Sequence, residues 1–216
     1  MENISVPKPI PNEQTDEQTD EHWSPSVRER ALAWLVHLLT ASGAVWGLLS
    51  ILAINEQEYR LAFLWIAVAV LVDSFDGIAA RAANVKQVLP DFDGALLDNI
   101  VDYLNYVFVP AYLLYAAGLL PEQLSLILPI LILLASAYQF SQGDAKTEDH
   151  FFTGFPSYWN VVVLYMMLLG PAPWIYALIL AILVVMIFIP TKYIYPSRNN
   201  VLPLSLIHIS EPTRPR

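Results

Sequence analysis

Apolar residues run in long blocks along this chain, and each block is closed by a short polar or proline-bearing stretch. The blocks fall at 31–54, 61–80, 95–120, 124–140, 157–170 and 174–190. Several approach the ~20 residues that carry a helix across a ~30 Å hydrocarbon layer. A bilayer leaves no partner for stray backbone groups, so such blocks read as helices. The pattern predicts an all-α integral membrane protein, a polytopic bundle of about six transmembrane helices joined by short loops. The fifth and sixth blocks are shorter than the first three. A long polar stretch, not a short basic one, precedes the first block, so no secretory leader is expected.

Composition agrees with that frame. Of 216 residues, 56% are hydrophobic and 14% charged, which excludes an ordinary soluble domain. The net charge of −9 is local: residues 1–30 hold seven acids and three bases, and residues 73–102 hold six acids and two bases. Residues 1–24, with Pro7, Pro9, Pro11 and two successive Glu-Gln-Thr-Asp runs, predict a disordered acidic tail. No nucleic-acid partner is expected. Without cysteine there is no disulfide framework to read. Counting loops alternately, Arg28, Arg30, Arg81, Lys86, Lys146, Lys192 and Arg198 share one side, and Arg60 takes the other. The bias of basic residues toward the inside then puts the N-terminus and residues 73–102 at the cytoplasmic face.

The chemistry is concentrated in that acidic stretch. Asp73 and Asp76 are three residues apart, Asp98 and Asp102 four apart, so each pair projects from one face of its helix. Carboxylates inside a span are costly and usually face a polar site. Four of them converging call for metal cations. Gly77 and Ala80 leave room beside the first pair, Arg81 offers a planar fork for phosphate oxygens, and Gly94 opens the next helix. Together these features describe a diphosphate site, with one acid left to take a proton from an incoming hydroxyl.

The full arrangement, D-x-x-D-G-x-x-A-R then G-x-x-x-D-x-x-x-D, resembles the signature of the CDP-alcohol phosphotransferases. One departure stands out: twelve residues separate Arg81 from Gly94, where most of that family has about eight. The longer spacing resembles the bacterial branch that makes phosphatidylcholine. So do the residues from Val88 to Val107 and the run Gly154-Phe-Pro-Ser-Tyr-Trp-Asn160, which extends the likeness over most of 31–198. The resemblance implies that Asp73, Asp76, Asp98 and Asp102 ligate two divalent ions, Mg2+ or Mn2+, with Asp102 also the catalytic base. It implies that Gly77, Ala80, Arg81 and Gly94 hold the CDP moiety. The implied partners are CDP-diacylglycerol and choline within the bilayer of a bacterial inner membrane, and a homodimer stays open.

A quaternary ammonium favours aromatic faces and a carboxylate, so Asp93, Tyr103, Tyr106, Tyr158 and Trp159 are the candidates for choline. His37 and His150 read as a packing and a loop residue, and Asn160 as a polar anchor. Competing readings are intramembrane ion pairs that only glue helices, a metal-ion transporter, a membrane prenyltransferase, or ethanolamine or serine as acceptor. A transporter has no need of Gly77, Ala80 and Arg81, and prenyltransferases typically cluster their acids differently. The expected organisation is a tail at 1–24, a membrane domain at 25–198 and a truncated end at 199–216. Residues 204–214 match the in-frame translation of a sequencing-library adapter, and the resemblance implies about eight spans in all.

Overall fold

A computed structural model describes residues 24–142, 151–170, 172–189 and 192–194. The expected acidic tail (through residue 23), His150 and the segment 199–216 lie outside them. Helix α1 (Val27–Asn55) starts at a capping box: Ser26 accepts from the Glu29 amide, and the Glu29 carboxylate accepts from Ser26 N at 2.7 Å. A tight turn with Gln57 at φ 61° reverses the chain into α2 (Tyr59–Ala82). These two helices, with 122–140, are long and apolar enough to cross a membrane, and two shorter apolar helices follow. The chain is a multi-pass membrane protein.

The third span expected from the sequence is one rod of three parts: α4 (Gly94–Asp102), a π-helical turn (Tyr103–Phe108) and α5 (Val109–Ala116). Pro110 lies just beyond the π turn. A proline ring cannot donate and crowds the carbonyl one turn back, and a widened turn relieves that crowding. The rod ends earlier than the expected residue 120, because Gly118 at φ 61° closes it with bonds back to Tyr115 and, from Leu119, to Leu114. After a 3-10 turn (Glu122–Leu124) come α6 (Ile127–Phe140), α7 (Trp159–Leu169) and α8 (Pro173–Phe188). Two three-residue strands, β1 (Phe151–Thr153) and β2 (Lys192–Ile194), pair antiparallel with Phe152 opposite Tyr193. Among the described residues they are the one addition to the all-α expectation.

The twelve-residue spacer has its own structure. Asn84 at φ 46° turns the chain into the short helix α3 (Val85–Val88), whose Val85 and Val88 pack with Ala33, Val36 and Ala80. Small residues decide how α1 meets its neighbours. Its buried stripe includes Ala33, Thr40, Gly43, Gly47, Ser50 and Ala53. A Cβ on Gly43 would collide with Val101, and one on Gly47 would lie 2.9 Å from Asn105 Oδ1. This is the small-x-x-x-small packing by which membrane helices approach closely. Asn105 Nδ2 seals it by donating to Gly43 O (3.1 Å) and Val101 O (3.0 Å).

Candidate metal and phosphate site

The α1 stripe brings α2 and the third span together over a cleft lined by Asp73, Asp76, Asp98 and Asp102, with Thr40 and Gly43 of α1 also in its wall. Carboxylate oxygens of Asp73, Asp98 and Asp102 all lie within 4.8 Å of one another, and these residues are half-buried. At such a distance two like charges repel by about 3 kcal/mol in a partly shielded protein setting. An all-oxygen set of this kind suits a hard divalent cation, which turns the repulsion into attraction. Asp76, expected as a fourth ligand, lines the same cleft but stands outside that close trio. It is 6% exposed and shares the cleft wall with Thr40, whose hydroxyl donates to Val36 O at 3.3 Å.

The phosphate-side candidates divide by environment. Arg81 is exposed, and its guanidinium folds back over Gly77, 3.5 Å from where a Cβ would sit. Gly77 thus leaves the space in which the fork rests. Ala80 packs beside α3. A Cβ on Gly94 would lie 2.6 Å from the His37 ring, so this glycine lets α1 reach α4. His37 is 6% exposed, lies against Phe92 with ring centres 4.3 Å apart, and its Nε2 is buried without a hydrogen-bond partner. Both glycine and histidine have a packing reason to be there, which tertiary contact alone reveals.

Of the five choline candidates, the structure brings two together at the acids. The Tyr106 hydroxyl donates to Asp73 Oδ2 at 2.8 Å, and its ring centre lies 5.8 Å from that of Tyr158. The other three have their partners away from the trio. Tyr103 donates to Leu133 O at 2.9 Å and packs on Phe140. Trp159 is wholly buried, with its indole N–H on Ser136. Asp93 is the exposed N-cap of α4, accepting from Leu96 N at 2.9 Å. Asn160 is buried and accepts from the Val161 amide. Thr40, Gly43 and Asn105 line the cleft and were missed from sequence; the Gly43-x-x-x-Gly47 spacing was the available signal.

Comparison with known proteins follows the same residues. The profile described as CDP-alcohol phosphatidyltransferase matches 33–190. A phosphatidylcholine synthase of Legionella pneumophila is 48% identical over 171 residues, covering 79% of this chain and 67% of the relative. The protein of that name from Legionella bozemanae is 49% identical over 162 residues, 74% of this chain and 75% of its own. That of Borreliella burgdorferi is 43% identical over 171 residues, 79% and 73%. With the acidic cleft, the profile and relatives of this similarity in agreement, the chain belongs to the CDP-alcohol phosphatidyltransferase family of membrane-bound phosphotransferases.

Proposed function

We propose that this chain transfers the phosphatidyl group of CDP-diacylglycerol to choline and releases CMP, with the site at the cytoplasmic face of a bacterial inner membrane. The observation that carries the reading is the trio Asp73, Asp98 and Asp102, delivered from two helices to one point. The names of the relatives support choline as the acceptor.

The family is divalent-metal dependent, and the donor set of this cleft fits that requirement. Asp73, Asp76, Asp98 and Asp102 would hold the metal, two ions of Mg2+ or Mn2+. Bound there, the metal supplies charge neutralisation for the diphosphate and for the departing CMP. Arg81, above Gly77, takes phosphate oxygens of the CDP group. Ala80 and Gly94 contribute by letting α3 and α1 close around it. The choline hydroxyl attacks the lipid-side phosphorus, forming a new P–O bond as the P–O bond to CMP breaks. Its proton passes to the Asp102 carboxylate. Tyr106 and Tyr158 face the trimethylammonium group, to which ring faces are attractive. Most of the acceleration comes from holding hydroxyl and phosphorus in line within a charged, pre-arranged cleft.

The test is an assay of membranes containing the full chain, given CDP-diacylglycerol and a panel of labelled choline, ethanolamine, serine and glycerol phosphate, with and without chelator. Labelled phosphatidylcholine and stoichiometric CMP, lost on chelation, are expected. Preferred use of a phosphorylated alcohol would sink the choline reading.

A further inference from the structure

We propose that the acceptor end of the site is set from a distance by a buried polar clasp of Ser136, Gln139, Ser157 and Trp159. This rests on the proposed role of Tyr158 beside the acceptor. The segment 154–158 leads into α7 and ends on Tyr158, yet it has no regular secondary structure of its own. Its backbone is held in two unusual places. Gly154 has φ 86°, and a Cβ there would collide with Ile187 O of α8; Ser157, a non-glycine residue, has φ 55°. Left-handed serine is unfavourable unless its surroundings fix it.

The surroundings do so through side chains. The Ser157 hydroxyl donates to Gln139 Oε1 at 2.6 Å and lies 3.0 Å from the Ser136 hydroxyl. Trp159 Nε1 donates to the same Ser136 hydroxyl at 2.9 Å, and Gln139 Nε2 donates to Phe155 O at 2.8 Å. Phe155 N in turn bonds Met186 O at 3.1 Å. Ser136 and Ser157 are fully buried, and Gln139 and Trp159 nearly or wholly so. A closed network in an apolar bundle is rigid, because breaking one bond leaves a buried group without a partner.

Residues 155, 157 and 159 are thus tied down on both sides of Tyr158, while Tyr158 itself stays exposed enough to meet a ligand. Its ring is held near that of Tyr106, whose hydroxyl ends on Asp73. The clasp therefore fixes where an acceptor cation sits relative to the acidic trio. Ser136, Gln139 and Ser157 are positioning residues: they touch neither substrate.

The decisive variants are Ser157→Gly, which relaxes the backbone while removing the hydroxyl, and Ser136→Ala. In membranes of the full chain, KM for choline should rise about tenfold, the loss of roughly one or two cation–π contacts. KM for CDP-diacylglycerol should stay within about twofold, because the clasp's hydrogen bonds reach neither Arg81 nor an acid of the trio directly. Ser136→Thr, which keeps a hydroxyl, should recover most of the choline affinity. If choline KM does not move in Ser157→Gly, or rises only in step with that for the CDP-lipid, the clasp is scaffold and the inference is overturned. Should Ser136→Ala fail to accumulate, Ser157→Gly decides alone. The wild-type acceptor panel separates the two readings. Preference for another alcohol refutes choline, while a raised KM for that same alcohol in the variants still upholds the clasp.

Discussion

Asp102 and Asp73 sit within the same close trio, and the proposed mechanism gives them different tasks. Asp73 is already engaged by the Tyr106 hydroxyl, which leaves it suited to a fixed ligand role. Asp102 is the last acid of the signature, one turn beyond Asp98 and at the lip of the π turn. Asp102→Asn keeps shape and removes the proposed base. Phosphatidylcholine formation should fall by about 10²–10⁴-fold while CDP-lipid binding persists. Turnover within a few-fold of wild type would remove Asp102 from that role. Asp73→Ala should instead lose activity through lost metal. The measurement is the activity response to added Mn2+, which should be flat in the variant; a normal stimulation curve would contradict the ligand assignment.

At the scale of elements, the contact between α1 and α4 offers a separable prediction. Gly94 was read from sequence as a diphosphate residue, and the structure supplies a packing reason through His37. Gly94→Ala drives a methyl into the ring, an overpacking that costs about 1–3 kcal/mol. Adding His37→Ala removes the obstacle, so the double variant should be more stable than the two single effects predict, by at least about 1 kcal/mol. Thermal unfolding in detergent of the four proteins measures this. If stability is additive and activity is lost whenever Gly94 is changed, the glycine serves the ligand directly.

The same contact marks what could be read in the chain beforehand. Spans, and the acids at helical spacing, were legible because hydropathy runs and three- and four-residue periods are local properties. His37 against Gly94, Asn105 against Gly43 and Trp159 against Ser136 join residues far apart in sequence, and no local period encodes them. That is why two of the aromatic candidates fell into the core: an aromatic residue beside a motif reads the same whether it faces a ligand or a neighbouring helix. The helix in the spacer was hidden too, since a single turn (Val85–Val88) is too short to show a period.

At the scale of the whole molecule, the arrangement demands a sidedness that can be measured. Helix α2 has 24 residues and so runs about 36 Å, enough to part its two ends by a full hydrocarbon layer. Arg60 lies at its start, while Arg81 and then Lys86 follow at its end, beside the N-terminal turn of α1 that carries Arg28 and Arg30. Basic residues gather on the side that also holds the acidic cleft, and the proposed orientation makes that side the cytoplasmic face. A CDP-lipid keeps its chains in the bilayer and presents its nucleotide to that compartment, so a site there meets the substrate without moving it across the membrane. The absence of cysteine makes the test clean, because a single introduced thiol is the sole reporter. With a membrane-impermeant maleimide, Lys86→Cys should label in inverted membrane vesicles and stay silent in intact spheroplasts, and Arg60→Cys should do the reverse. Adding CDP-diacylglycerol with metal should slow labelling at 86 and leave 60 unchanged, since α3 packs on Ala80 beside the proposed phosphate ligand Arg81. Labelling of Lys86→Cys from outside intact spheroplasts would put the carboxylates on the face opposite the nucleotide and would refute the proposed orientation.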